Sequence, residues 1–482
     1  MVQGALYIVL PLLCLFVFAK FRSARVRIAA LLIVSYALYL SWTPWFAAVL
    51  GASTVMNFLI GEWLRRKPSG LILWLGIVFN LALLGTFKYL PEAAVHVPFS
   101  SLQHLSHIVM PLGISFWTFQ AMSYLFDVYQ GEEMNPSLGE FALYMAFFPV
   151  TASGPVCRMS EMLPQFRSES ALRWDDISRG FQRIATGVLM MQVAKLLGHG
   201  ILAGDGINSG FDHTTNLSAT DVWCLAFGYG LQLFFDFAGY SHLAIGAAQT
   251  LGFTIPENFA RPFGSTSPSI FWTRWHMSLS FWIRDYVFFP LMQLRREIWW
   301  RNLALVISMS LFGLWHKASI LFLLWGAYHG VLLILHRQIE GLERKYDWRP
   351  PEPWWKVLSW LATISLVSLG WIFFRAHSWT QARQMLLATV TPGSYAAHFL
   401  SLSLYLLIGA LAAAYGIVVL VAAMLDRHIE TSAAQSNSGV VALIVRWRWF
   451  WILPLYALTL LVLLLITTTQ SGGVGQLMYR NF

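Results

Sequence analysis

Long apolar runs recur along the whole chain, with short polar segments between them. A helix needs about 20 apolar residues to cross the hydrocarbon core of a bilayer. Runs of that kind begin near Ala5, Arg27, Trp45, Leu71, Gly180, Asp221, Ile320, Lys356, Ser401 and Phe450. The pattern predicts membrane-spanning helices, and therefore an all-α, polytopic integral membrane protein.

Four further apolar stretches are shorter or interrupted by polar residues: 110–129, 141–150, 270–291 and 304–315. With the long runs they predict about 10–13 membrane segments, some of them re-entrant or lying along the interface. Irregular backbone at membrane depth is tolerated only inside protein or beside a water-filled cavity. We therefore expect the functional site in the interrupted stretches.

Composition agrees with a lipid environment. Of the 482 residues, 57% are hydrophobic and only 11% are charged, whereas a soluble domain carries about 25% charged residues. The apolar runs extend from end to end, so we predict one membrane domain over residues 1–482. The three cysteines show no paired spacing, which argues against a disulfide framework or a zinc site.

The net charge of +9 comes from short basic clusters between the apolar runs. Clusters at 20–27, 65–67, 295–301, 337–356 and 426–448 are typical of cytoplasmic loops, which disfavours nucleic-acid binding. The positive-inside rule then places both termini on the outer face. The apolar N-terminal run has no small-residue cleavage site and is interpreted as a retained span.

Ionisable and aromatic residues interrupt the apolar sequence in the second half of the chain. Asp236 lies among phenylalanines, which indicates either a function or a structural hydrogen bond to a neighbouring helix. Further on, Arg274, Trp275, Ser278 and Trp282 fall at positions i, i+1, i+4 and i+8 if the segment is helical. This predicts an interfacial or cavity-lining helix. An amphipathic surface helix is the alternative, but it does not explain His276 beside the tryptophans.

Three histidines, His276, His316 and His329, lie close to these apolar stretches. An imidazole can accept and return a proton near neutral pH, which suits acid–base catalysis. A lone buried histidine is more often structural, but the presence of three in one region favours catalysis. No short metal-ligand spacing joins them, so we predict no metal. Phosphate-binding loops, a G-x-S-x-G elbow and CxxC pairs are absent from the sequence.

Several motifs, taken in order, resemble the membrane-bound O-acyltransferase family, and in particular its bacterial branch of alginate O-acetyltransferases and teichoic-acid D-alanylation proteins. The resemblance covers about residues 87–376. The matching stretches are MPLGISFWTFQ at 110–120, SYLFDVY at 123–129, FFP at 147–149, GP at 154–155, FDFAGYS at 235–241, LGF at 251–253, PENF at 256–259, FWTRWH at 271–276, LWH at 314–316 and WIFFRA at 371–376.

The resemblance implies a ring of helices around a central tunnel in the bacterial cytoplasmic (inner) membrane. It implies a small acyl group, expected to be acetyl, that leaves a cytoplasmic thioester, either acetyl-CoA or an acyl carrier protein, with no tightly bound cofactor. The group would reach hydroxyls of an exported or cell-wall polysaccharide, as in alginate or exopolysaccharide biosynthesis. An extracytoplasmic partner of the serine-esterase type would assist.

The resemblance also assigns roles to single residues. His316 matches the near-invariant catalytic histidine, and His276 matches a second active-site position that is His or Asn in the family. His329 matches a further histidine of the bacterial branch, whereas Lys317 replaces the usual glycine. Supporting or tunnel-lining positions are expected at Asp236, Tyr240, Asn258, Arg274 and Trp275.

The residues alone are also compatible with two other functions. A transporter or flippase for a lipid-linked saccharide would also need polar groups in apolar sequence. A scaffold that only recruits a transferase would not need the histidines. The acceptor is not identified: alginate, cellulose, peptidoglycan, teichoic acid and another exopolysaccharide are all compatible with the sequence.

Overall fold

A computed structural model of the chain describes residues 2–95, 105–201, 205–212, 217–348 and 352–433. The span predicted near Phe450, both chain ends and the basic cluster beyond residue 433 lie outside the described residues. Within these ranges the chain forms helices and no strand, apart from one isolated antiparallel bridge between Phe259 and Trp275.

The helices follow one another with short connections. In chain order they are α1 (Val2–Lys20), α2 (Ala24–Trp42), α3 (Pro44–Arg66), α4 (Gly70–Leu84), α5 (Leu90–Val95), α6 (Ile114–Tyr129), α7 (Leu138–Ala146), α8 (Phe148–Thr151), α9 (Met159–Phe166), α10 (Trp174–His199), α11 (Ile207–Asp212), α12 (Ala219–Thr250), α13 (Pro268–Trp272), α14 (Met277–Ile283), α15 (Phe289–Gln293), α16 (Ile298–His316), α17 (Ile320–Lys345), α18 (Glu352–Arg375), α19 (Trp379–Val390) and α20 (Leu402–Ala433). Two π-helical stretches, Gly85–Tyr89 and Arg284–Phe288, join α4 to α5 and α14 to α15, and 3₁₀ turns cover Pro262–Gly264 and Pro392–Ala396.

Seven helical segments among the described residues are long and apolar enough to cross a bilayer. They are Ala24–Trp42, Pro44–Arg66, Gly70–Val95, Ala219–Thr250, Ile298–His316, Ile320–Lys345 and Trp354–Arg375. Shorter apolar helices cover Val9–Lys20 and Leu402–Val418. The prediction of a polytopic all-α membrane protein is confirmed, while the higher count of segments and the ring around a tunnel stay predictions.

The four interrupted stretches differ from one another, and 110–129 forms a single helix, α6, from residue 114 onward. Stretches 141–150 and 270–291 are broken into short helices, as predicted. Stretch 304–315 instead belongs to α16, a continuous helix of span length. The helix is longer than the apolar stretch because Trp299, Trp300 and Arg301 continue it although they interrupt the apolar run. The helix ends where Lys317 adopts an extended conformation.

Two compact units are distinguished by Cα proximity. Unit 1 contains residues 1–184, 241–258 and 277–290, and unit 2 contains 185–240, 259–276 and 291–482. The single domain over 1–482 stays a prediction. Inside unit 1, α3 and α4 are joined by a fully buried amide pair, in which Asn80 donates to Asn57 over 2.6 Å and Asn57 donates back over 3.2 Å. Hydrogen bonds of this kind help hold membrane helices together.

In unit 2, α16 and α17 form a tightly packed helical hairpin. Gly326 and Gly330, four residues apart on α17, face α16, and Gly313 on α16 faces α17. A methyl group at Gly326 would overlap the carbonyl oxygen of Met309, and one at Gly313 would overlap that of Phe322. Small residues at this spacing let membrane helices approach closely. Ser319 then starts α17 by accepting a hydrogen bond from the Phe322 N–H.

We predict that Gly326→Ala lowers the thermal stability of the protein in detergent. The added methyl has no space against the α16 backbone, and overpacking of this kind costs about 1–3 kcal/mol. Gly341→Ala is the matched control on the same helix, because nothing lies within 4 Å of its added methyl. Equal melting temperatures for the two variants would contradict the close contact.

Candidate active site

The last residue of α16 is His316, whose position is set by the hairpin with α17. The side chain is only 7% exposed. Its ring lies 4.7 Å from the ring of Trp315, 5.1 Å from Phe374 and 5.4 Å from Phe312, measured between centroids. The imidazole is therefore held by aromatic walls and shielded from bulk solvent.

His276 lies in the connection between α13 and α14 and not on a helix. Its φ of 44° is in the left-handed region, which histidine adopts more readily than most residues. The helix predicted through Arg274 and Trp275 is thus wrong. The backbone there turns back, because Trp275 bridges to Phe259 and the Arg274 carbonyl accepts from the Ala260 N–H over 3.0 Å. Only Ser278 and Trp282 lie on a helix, α14.

The turn buries the His276 ring almost completely. It lies 4.6 Å from the ring of Phe237, 6.3 Å from Phe312 and 6.4 Å from Trp315. Phe312 and Trp315 also contact His316, so two aromatic side chains are common neighbours of both histidines. Within the described part of the chain, neither ring nitrogen of His276 has a hydrogen-bond partner.

His329 lies on α17 and is fully buried. Its ring is 5.1 Å from each of Trp272 and Trp325. A methyl group at Gly370 would come within 2.7 Å of its Nε2, so glycine there leaves room for the imidazole. Both ring nitrogens again have no hydrogen-bond partner among the residues that the structure describes.

The three histidines thus border one aromatic cluster in unit 2, formed by Trp272, Phe312, Trp315, Trp325 and Phe374. Buried polar atoms without partners are rare in proteins. The ring nitrogens of His276 and His329 are accordingly suited to bind polar atoms of a substrate or water. In the ranges that the structure describes, no group of three His, Cys, Asp or Glu side chains could hold a metal ion. The absence of a metal site stays a prediction.

A cavity of about 760 Å³ adjoins this cluster within unit 2. Phe322 and Phe374, whose rings contact His316, belong to its wall, and so do two predicted residues, Asp236 and Lys317. We call it the Lys317 cavity.

Sequence reasoning missed Tyr229 and Gln232, which line the Lys317 cavity from the same helix as Asp236. The three residues stand at i, i+3 and i+7 of α12, which places them on one helical face. That polar stripe on an apolar helix was the signal in the sequence that could have revealed them.

The remaining predicted residues take other places. Trp275 is buried against Phe271, Phe259 and Trp371. Arg274 reaches the Gly264 carbonyl at 3.4 Å, and Tyr240 is half-buried on α12.

Asn258 belongs to a hydrogen-bonded set inside unit 1. It donates to the Ser241 hydroxyl over 3.0 Å and accepts from the Ser278 hydroxyl over 2.6 Å. Ser278 in turn accepts from the Val156 N–H over 3.0 Å. These hydrogen bonds satisfy the buried amide of Asn258, which therefore links neighbouring segments of unit 1.

Comparison with known proteins adds independent information. The family model described as MBOAT, membrane-bound O-acyltransferase family, matches residues 28–374. A Pseudomonas putida protein named "Probable alginate O-acetylase" is 35% identical over 376 residues, covering 75% of this chain and 74% of its own. The peptidoglycan O-acetyltransferase of Helicobacter pylori is 31% identical, covering 74% and 72%. The teichoic acid D-alanyltransferase of Bacillus subtilis is 31% identical, covering 64% and 79%.

Proposed function

This chain belongs to the membrane-bound O-acyltransferase family, and we propose that it moves a small acyl group from a cytoplasmic thioester to hydroxyls of an exported or cell-wall polysaccharide, directly or through a partner protein. One observation carries the proposal: the His316 imidazole, at the end of α16, contacts two rings that line the Lys317 cavity. We take the acyl group to be acetyl, since relatives that act on alginate and peptidoglycan are named for acetyl transfer.

His316 is proposed as the general base. Its imidazole takes the proton of the acceptor hydroxyl while the oxygen attacks the thioester carbonyl. The tetrahedral oxyanion then collapses, the carbon–sulfur bond breaks, and the imidazolium returns the proton to the leaving thiolate. Stabilising the oxyanion requires a hydrogen-bond donor near the carbonyl. His276 is proposed for that role, because its ring nitrogens have no partner among the described residues and its neighbours Phe312 and Trp315 also contact His316.

A transporter or flippase receives no support from these observations. The chain belongs to a family of acyltransferases. Acyl transfer needs groups that move protons, such as the buried histidines, whereas saccharide transport does not.

We predict that His316→Ala lowers acyl transfer by at least about 10²-fold, the range that general-base catalysis supplies. The assay is acyl transfer by purified, monodisperse protein. His336→Ala is the matched control, because His336 lies on α17 and is 19% exposed beside Glu340. Near wild-type turnover of His316→Ala would refute the assignment of His316 as the base, whereas absence of acyl transfer by the purified wild-type protein would favour the scaffold.

The donor is proposed to be acetyl-CoA or an acyl carrier protein, with basic residues of the 295–301 cluster attracting its phosphates. Arg295 lies over the rings of Trp299 and Trp300, at 5.7 and 5.4 Å. We expect labelled acetyl-CoA or labelled carrier protein to supply the acyl group to vesicles that contain the protein. Arg295→Gln with Arg296→Gln should raise the KM for the donor. Vesicles that take label from neither donor would contradict the proposal.

A partner of the serine-esterase type on the outer face is proposed to complete delivery to the polymer. The relatives support only acyl transfer to polysaccharide or teichoic acid in general. The partner is suggested by the shortage of large soluble segments in a chain that is 57% hydrophobic. We expect vesicles that contain only this chain to acylate polymer incompletely. Adding extracytoplasmic proteins of the same bacterium should make the acylation complete. Full polymer acylation without them would exclude the partner.

The bacterial cytoplasmic membrane is the proposed location, with both termini outside. This topology places Ser69 inside, next to the 65–67 cluster, and Ser378 outside, at the start of α19. A membrane-impermeant thiol reagent should label Ser378→Cys in intact cells, and Ser69→Cys only after permeabilisation. Labelling of Ser69→Cys in intact cells would overturn the orientation.

A further inference from the structure

Five aromatic side chains of unit 2 surround the imidazole of His316. Between ring centroids, they lie at 4.7 Å (Trp315), 5.1 Å (Phe374), 5.4 Å (Phe312), 5.7 Å (Trp325) and 6.2 Å (Phe322). Phe322 and Phe374 belong to the described wall of the Lys317 cavity, and the other three do not. We call Phe312, Trp315 and Trp325 the aromatic layer. The imidazole therefore borders both an open cavity and a packed aromatic layer.

Trp325 is the member of the aromatic layer that lies deeper along α17 than the cavity wall. It follows Phe322 by three residues and precedes His329 by four, so the three side chains share one face of the helix. The Trp325 side chain is only 1% exposed. Its ring lies 5.1 Å from that of His329, so one large side chain is a common neighbour of His316 and His329.

The position of Trp325 is fixed from behind. Its ring is nearly parallel to that of Trp371, at 6.1 Å and 28°. Trp371 in turn abuts α12, because a methyl group at Gly230 would come within 2.7 Å of its Nε1. The neighbouring Gly326 holds the α17 backbone against α16. Interiors packed this closely yield little space, so the aromatic layer cannot move aside for a larger ligand.

The chemistry requires the acyl group to lie near the His316 imidazole. A general base has to reach the proton of the acceptor hydroxyl, within about 2.6–3.2 Å or through one water. The hydroxyl oxygen in turn has to lie about 3–3.5 Å from the thioester carbonyl carbon. The acyl carbon is therefore within a few ångströms of the imidazole, and the acyl chain extends from there into whatever space the surrounding rings leave.

We propose that Trp325 limits the length of the transferred acyl group, so that acetyl is accepted and longer chains are excluded. The acceptor hydroxyl enters from the Lys317 cavity, whether a sugar or a partner protein carries it. The acyl methyl is then left on the side of the aromatic layer and packs against the Trp325 ring. This inference rests on the proposed function and adds the residue that determines acyl specificity.

The test compares donors that differ only in acyl length. The probes are labelled acetyl, propionyl and butyryl thioesters of CoA and of an acyl carrier protein. They are offered to the full-length protein in vesicles supplied with polymer and extracytoplasmic proteins. For the wild-type protein we expect kcat/KM for propionyl to be about 10–200-fold below that for acetyl, the range by which an apolar pocket discriminates one methylene. The value for butyryl should be lower still.

Two substitutions enlarge the space beside the imidazole by different amounts. Trp325→Phe and Trp325→Leu should each reduce the preference for acetyl over propionyl by at least about tenfold, and Trp325→Leu should also accept butyryl. Trp325→Phe keeps a ring in the aromatic layer and tests the inference even where Trp325→Leu does not fold. Both variants lose the indole N–H, which has no hydrogen-bond partner in the described ranges. That loss acts on every donor alike and leaves the ratio of kcat/KM values unchanged.

Trp360→Phe is the matched control, because it makes the same substitution far from the imidazole. Trp360 lies on α18, fourteen residues before Phe374, which is about 21 Å along the helix at about 1.5 Å per residue. It is 41% exposed and donates to the Phe263 carbonyl over 2.7 Å. Its preference among the three acyl groups should equal that of the wild-type protein.

Three results would overturn the inference. The first is wild-type protein that transfers butyryl as efficiently as acetyl, and the second is Trp325 variants that transfer acetyl with an unchanged preference. The third is loss of all transfer by monodisperse Trp325→Phe, since the proposal assigns Trp325 to selection of the acyl group and not to the reaction itself. Wild-type protein that consumes none of the donors rejects the proposed function, and the inference with it.

Discussion

The contact between α16 and α17 through Gly313, Gly326 and Gly330 is the constraint on which the site depends. In these positions the backbones themselves touch, since a methyl group would overlap a carbonyl oxygen or come within 3 Å of a Cα atom. Because the hairpin is so tight, its connection is only three residues long, from Lys317 to Ser319. His316 lies at one end of that connection, and the hairpin sets its imidazole against the rings of Phe312, Trp315 and Phe374.

The histidines place polar ring nitrogens among tightly packed aromatic side chains, which is unfavourable unless the nitrogens have a role. Aromatic rings surround His276 and His329, whose nitrogens have no partner in the described ranges. In an apolar surrounding such groups destabilise the fold. The left-handed turn at His276 adds strain. Backbone strain of this kind clusters at active sites and ligand-binding sites, which agrees with the proposed role of these histidines.

Much of the architecture could be predicted from the sequence, because membrane spans depend on local apolar length. His316 could also be identified from the sequence, because it belongs to the Leu314-Trp315-His316 motif. What failed depends on contacts distant in sequence: the turn at Arg274–His276 follows from pairing with Phe259 and Ala260, some fifteen residues earlier. Local periodicity treats that segment as helix. Tyr229 and Gln232 were overlooked for a different reason, because a single tyrosine or glutamine in an apolar run is unremarkable until its face is known.

The charges at the two ends of α16 relate the fold to the proposed path of the acyl group across the membrane. One end follows Arg295, which lies over the rings of Trp299 and Trp300, an arrangement typical of the cytoplasmic interface. The other end is followed by an exposed cation, Lys317, which the proposed topology places on the outer side. Lys195 and Arg375 line the same cavity. In the proposed topology, a donor attracted to the basic end of α16 and an acceptor that enters from the opposite end would meet at His316, where the helix ends.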